Sequence, residues 1–95
     1  AANRMFKDLA FLDVSGRLAR KLEELTDVYG DNRDAAGRIV IPLGHEELSR
    51  QVGATRETVS KVLAEYRRLG LVATSHRRVA IHNLEGLKKI ALLAA

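Results

Sequence analysis

The chain has no cysteine and no tryptophan, a single proline, and only 4% aromatic residues among its 95. Without thiols it can form neither disulfides nor a thiolate-held metal or cluster, which is compatible with a cytoplasmic setting. No stretch is long and apolar enough to span a membrane, because every apolar run is interrupted by charge, and no secretory signal is present. With few aromatics and 46% hydrophobic content, the core must be built from Leu, Val, Ile and Ala. A chain of this length buries one small core and no more. No internal repeat or low-complexity tract stands out.

Residues that would carry catalysis or hold metal are equally sparse. His45-Glu46-Glu47-Leu48-Ser49 begins like the zinc-protease motif H-E-x-x-H, but Ser49 stands where the second histidine is needed, so a metal would lack a ligand. His45, His76 and His82 fall in separate segments without a second ligand at metal spacing; ordinary surface or hydrogen-bonded histidines describe them better. There is no glycine-rich phosphate loop and no legible Ser, His and acid arrangement. Catalysis is therefore not expected, nor any cofactor in this segment.

What is present is concentrated between residues 45 and 70. Apolar residues fall at Leu48 and Val52, then at Val59, Val62 and Leu63, which is helical spacing on either side of Gly53. Gly53 suits a left-handed backbone position that would strain any residue with a Cβ. Thr55 reads as the N-cap of a second helix, accepting from the N–H of Glu57 or Thr58, and Gly70 ends that helix. The segment is a helix-turn-helix, with a second helix of about fifteen residues, long enough to lie along a major groove.

With Val59, Val62, Leu63, Tyr66 and Leu69 facing inward, the second helix turns Arg56, Glu57, Ser60 and Lys61 outward, and Thr55 and Thr58 lie near its tip. Arg and Lys can donate to guanine O6 and N7, Glu can accept from a cytosine amino group, and Thr or Ser can serve bases or phosphates. Duplex DNA is the partner this face fits, with Arg56, Glu57, Ser60 and Lys61 as candidate base contacts and Thr55 and Thr58 as candidate phosphate contacts. A solvated charged face on an ordinary helical hairpin is the alternative. Charge distribution favours the first: residues 38–82 hold eight Lys/Arg against four Asp/Glu, so the whole net charge of +4 sits there. Such a patch supplies the sequence-independent, salt-sensitive part of affinity.

Downstream, Leu71 to Thr74 and Val79 to His82 read as a hairpin, separated by Ser75, His76, Arg77 and Arg78. Upstream, Arg38 to Pro42 is a third strand candidate, with Pro42 marking an edge or strand end. Three short strands beside the two helices make a winged helix-turn-helix, mainly α with a small antiparallel β-sheet. His76, Arg77 and Arg78 then occupy the wing tip, either as phosphate contacts or as a basic turn touching nothing. Residues 1–12 are expected to hold a first short helix ending near Phe11 and Leu12. Asp13 would cap a second helix, Val14 to Tyr29, with Leu18, Leu22, Leu25 and Val28 as its core stripe and Gly30 closing it. Asp31 to Gly37 is a polar loop. Asn83 can cap a final helix, Leu84 to Leu93, sealed by Leu87, Ile90 and Leu93.

The run Gly53-Ala54-Thr55-Arg56-Glu57-Thr58-Val59-Ser60-Lys61-Val62-Leu63 resembles the helix-turn-helix core of the CRP/FNR family of bacterial transcription regulators, where G-x-S/T-R-E-T-V-x-R recurs. Phe11 to Ala19 resembles the helix that follows the family's dimerisation helix, and Ile41-Pro42-Leu43 precedes the first motif helix as it does in the family. The resemblance implies that residues 1–12 are the end of a dimerisation helix or a linker, and that residues 13–95 are a DNA-binding domain reading a TGA-type half-site. It implies a homodimer in the full-length protein, palindromic DNA, RNA polymerase as a further partner, and an effector held by a sensor domain outside this segment. In cyclic-AMP-receptor-like members the residues matching Arg56 and Glu57 read bases, with an arginine where Lys61 stands; FNR-like members use those matching Glu57 and Ser60 and the same arginine. This chain carries Arg56, Glu57 and Ser60 together, and Lys61 departs from both patterns. Gly44 departs too, since many members place a Ser or Thr cap there.

Overall fold

The computed structural model describes residues 2–93, and side chains from residue 11 onward. Its elements are α1 (Ala2–Val28), β1 (Val40–Ile41), α2 (His45–Val52), α3 (Arg56–Arg68), β2 (Val72–Ser75), β3 (Arg78–Ile81) and α4 (Leu84–Leu93). The strands form one antiparallel sheet in the order β1-β3-β2. This is the winged helix-turn-helix architecture that the apolar spacing implies.

Helix α1 does not break at Asp13. The Asp13 carboxylate pairs 3.0 Å from Arg17 one turn on, an i,i+4 pair of the kind that supports a helix interior. The reason lies in the apolar phase. Partly buried Phe11 and buried Val14, Leu18, Leu22 and Leu25 share one face without a shift, so continuing the helix buries more than capping it would. Val28 is the exception in the expected stripe: it is 70% exposed, because after Leu25 the position facing the core is taken by Tyr29, one residue further on.

Two polar anchors hold α1 to the helix-turn-helix. The Arg17 guanidinium donates to the Val52 carbonyl at the end of α2, satisfying an acceptor left open by helix termination. The buried Tyr66 hydroxyl of α3 donates to the Ser15 carbonyl and accepts from the Ser15 hydroxyl at 3.3 Å. Burial pushes the Tyr66 phenol up to about 12. In the unfolded chain it ionises near its ordinary value of about 10, so above that pH the native state holds a proton the unfolded state has lost. The Tyr66 contribution to stability is thus complete below about pH 10 and lost as pH rises toward 12. Urea titrations are expected to show wild type losing on the order of 1 kcal/mol per pH unit across that window relative to Tyr66→Phe. Parallel loss in both proteins would disprove the linkage.

Val79 and Ile81 alternate inward on β3, the central strand. It pairs Val40 with Ala80 and Ile41 with Val79 on one side, and Val72 with Ile81 through Ser75 with Arg78 on the other. The first strand is shorter than the Arg38 to Pro42 expected: Arg33 and Ile39 form an isolated bridge before it. Helix α4 begins at an Asn83 cap, whose side chain accepts from the Gly86 N–H at 2.9 Å, and lies along α1. Leu87 and Ala91 are its buried residues, Ile90 packs at the core's margin, and Leu93 is 86% exposed, so it seals nothing. Among the described residues no helix is long and apolar enough to cross a membrane.

Candidate nucleic-acid interface

The corner between α2 and α3 is made by backbone conformation and capping. Gly53 has φ +69°, and its N–H and that of Ala54 both return to the Ser49 carbonyl, which ends α2 in the left-handed conformation glycine tolerates best. Thr55, in an extended conformation, accepts from the Thr58 N–H at 3.1 Å. Its own hydroxyl donates to the Thr58 hydroxyl at 2.9 Å. Helix α3 then runs 13 residues, about 20 Å at 1.5 Å per residue. Val59, Val62, Leu63 and Tyr66 are buried on its inner face. Leu69, expected inward, is instead the C-cap and 49% exposed, because α3 stops at Arg68.

The outer face of α3 begins with Arg56 and Glu57, both exposed, followed one turn on by exposed Lys61. Lys61 Nζ lies 3.6 Å from the Glu57 carboxylate. A surface pair of this kind is worth about 0.3–0.5 kcal/mol, so either partner is released cheaply to another donor or acceptor. Ser60 differs from its neighbours: it is half-buried, and its hydroxyl lies 2.8 Å from Nδ1 of His45, the first residue of α2. Burial first, then the charges of Arg67 and Arg56, push the His45 imidazolium below its ordinary range, which leaves the ring neutral at pH 7.

The wing tip is tighter than the sequence implies. Ser75 and Arg78 pair across the hairpin, so Arg78 belongs to β3 and only His76 and Arg77 form the turn. Arg77 has φ +56°, a conformation that disfavours residues with a Cβ. The turn folds back onto the start of α2. A Cβ on Gly44 would meet Arg77 Cα at 3.4 Å and Glu47 Oε2 at 2.9 Å. Glycine stands here in place of the common Ser or Thr cap, with the wing backbone at van der Waals distance from it and only the mobile end of the Glu47 side chain in the way of a Cβ. The lost hydroxyl cap is partly replaced from the other direction, because the Glu47 carboxylate accepts from the Gly44 N–H, one half of a capping box. That bond, and next the helix's own N–H, hold the Glu47 carboxyl below its usual range. Farther along, Arg67 of α3 donates to the Thr74 hydroxyl at 2.7 Å, tying the wing to the recognition helix.

These elements enclose a cleft of about 460 Å³ between the start of α2, the start of α3 and the wing, lined by Gly44, His45, Glu47, Arg56, Ser75, His76 and Arg77 among others. It brings Arg56, His76 and Arg77 of the candidate contacts together. Glu57 and Lys61 lie outside it on the exposed face of α3, Thr55 and Thr58 at the helix tip, and Arg78 on the first position of β3. His45, Gly44 and Arg67 carry no sequence signal for their places here. Their partners are fifteen, thirty-three and seven residues away, in other elements. Among the described residues no group of His, Cys, Asp or Glu is gathered that can hold a metal.

Residues 16–90 match the Crp-like helix-turn-helix domain family. The CRP-like cAMP-activated global transcriptional regulator of Mycobacterium tuberculosis is 37% identical over 89 residues, covering 94% of this chain and 40% of that protein. The transcriptional regulator LdrP of Thermus thermophilus is 42% identical over 79 residues, covering 83% of this chain and 40% of its own length. The crystal structure of TTHA1359, a CRP/FNR-family transcriptional regulator of Thermus thermophilus, superposes with a TM-score of 0.74 at 32% identity, covering 96% of this chain and 46% of that one. The chain thus spans about two fifths of the length of the curated relatives it matches. A helix-turn-helix with a capped Thr55, a wing folded on Gly44 and this breadth of similarity place the chain in the Crp-like helix-turn-helix domains of the CRP/FNR family of transcriptional regulators.

Proposed function

We propose that this chain is the sequence-specific, duplex-DNA-binding domain of a transcription regulator, with α3 in the major groove reading a TGA-type half-site. The observation that carries the reading is that Arg56, Glu57 and Lys61 are all exposed on the leading half of α3, beside a wing that presents His76, Arg77 and Arg78. Arg56, Glu57 and Lys61 read bases; Thr55, Thr58 and the wing residues hold phosphate; the free amides at the start of α3 add an anion-binding end. Ser60 belongs with the base contacts, though its hydroxyl is already shared with His45.

In the full-length protein two such domains act as a homodimer in the cytoplasm on a palindrome, their recognition helices about 34 Å apart in successive major grooves. The uninterrupted α1 supports reading residues 2–12 as the end of a dimerisation helix rather than a linker. The relatives' description as transcriptional regulators supports RNA polymerase as a further partner.

Titration of labelled duplexes at several salt concentrations tests this. Binding is expected to be tighter for a palindrome with TGA-type half-sites than for its scrambled counterpart, and to fall with salt by a slope of about −0.9 per phosphate neutralised. Equal affinity for both duplexes, unaltered in Glu57→Ala, would overturn the reading in favour of a winged-helix module whose basic face binds an acidic protein.

A further inference from the structure

Ser60 is the only candidate base contact whose hydrogen-bonding group is already engaged by a side chain of α2. A serine hydroxyl has one proton to donate and lone pairs to accept with, while a neutral imidazole donates from one nitrogen and accepts at the other. Resting on the DNA-binding reading above, we propose that His45 is a positioning residue that sets whether Ser60 meets a base edge as an acceptor or as a donor. The 2.8 Å contact of Nδ1 with Ser60 Oγ admits two states. With Nδ1 unprotonated, the single Ser60 proton is committed to His45, and Oγ offers only lone pairs, which match the amino groups of adenine N6 and cytosine N4. With Nδ1 protonated, Ser60 accepts from His45 and its own proton is released toward guanine O6 or N7, thymine O4 or adenine N7.

The surroundings favour the neutral ring, and the contact made at Nε2 then decides which of its two tautomers faces Ser60. The ring is half-buried, and Arg56 and Arg67 on α3 disfavour its charged form. His76 and Arg77 of the wing share its cleft, opposed by Glu46 and Glu47 on its own helix. A phosphate oxygen in that cleft that accepts from Nε2–H fixes the tautomer in which Nδ1 accepts, since the bond made by one ring nitrogen decides the protonation of the other. Ser60 is then an acceptor in the bound complex. Acidification below the depressed titration range of His45 places a proton on both nitrogens and inverts the polarity of Ser60.

The test is a base-preference matrix, the affinity of this chain for half-site duplexes carrying each base pair at each position, at pH 7.5 and in steps down to the lowest pH at which the chain stays folded. At one position wild type is expected to favour amino-bearing bases by roughly fivefold or more, the low end of a single base contact, and to shift toward acceptor-bearing bases as the pH falls. His45→Ala and Ser60→Ala should each erase that preference and its pH dependence, and the double variant should equal either single one. His45→Asn, which keeps a hydrogen-bonding side chain without a titrating proton, should lose the pH shift. Far-ultraviolet circular dichroism checks that each variant is folded. A folded His45→Ala protein with an unchanged matrix, or one weakened equally for all duplexes, overturns the inference and leaves the DNA reading intact. A wild-type matrix that is flat at every position overturns the DNA reading itself.

Discussion

Leu63→Ala is expected to lower the unfolding free energy of this chain by about 2–5 kcal/mol, seen as a fall in the urea midpoint with little change in slope. Leu63 has no solvent exposure and sits in the core with Leu18, Leu48, Val59 and Val79. Helix α3 packs at once against α1, α2 and β2, so no single neighbour can move in to fill the space without giving up its other contacts. The loss therefore includes a cavity as well as the transfer of methyl groups out of the core. Small domains are stable by about 5–15 kcal/mol, which leaves the variant folded in buffer but easily unfolded. Leu69→Ala, at the exposed C-cap, should change stability by no more than about 0.5 kcal/mol. Equal effects at the two leucines would contradict the burial of one and the exposure of the other.

Arg56→Ala, on the opposite face of the same helix, is expected to do the reverse. It should remove about 1–3 kcal/mol of discrimination at one base pair, roughly five- to 150-fold in relative affinity, while the urea midpoint barely moves. Arg56 is exposed, and its guanidinium is a planar fork suited to guanine O6 and N7. Lys61 presents a point charge instead, so the base it faces should be read less strictly. Arg78→Ala should weaken binding to all sequences alike and reduce the salt slope by about one phosphate, because a phosphate contact carries no sequence information. A base-preference matrix for Arg56→Ala that matches wild type at every position would remove Arg56 from the base-reading set.

The parts legible in sequence were those decided within a few residues. Gly53 ends α2 and Thr55 starts α3 because a left-handed φ and an N-cap hydroxyl are local requirements. Val59, Val62, Leu63 and Tyr66 share a face because helical periodicity puts them there. The misreadings come from helix ends and from competition between local signals. Asp13 is a good cap by type, yet the face running from Phe11 to Leu25 outweighs it. Leu69 and Leu93 lie at or beyond the last residue of their own helices, and at the end of α1 the core-facing position falls on Tyr29 rather than Val28. Periodicity reports a direction around the helix axis; it does not fix where the helix ends or whether the core takes the i+3 or the i+4 position.

From sequence alone came the helix-turn-helix, the wing, the basic half of the chain and the exposed Arg56, Glu57 and Lys61, because each rests on periodicity, capping or composition. Tertiary structure decided the rest: Ser60 bonded to His45, Arg67 to Thr74, Arg77 folded over Gly44, and Tyr66 joined to Ser15. These pairs bridge separate elements, and no local preference of either partner specifies the other. They form only once the buried faces of α1, α2, α3 and the sheet have packed, and it is that packing which turns a list of polar residues into a shaped surface.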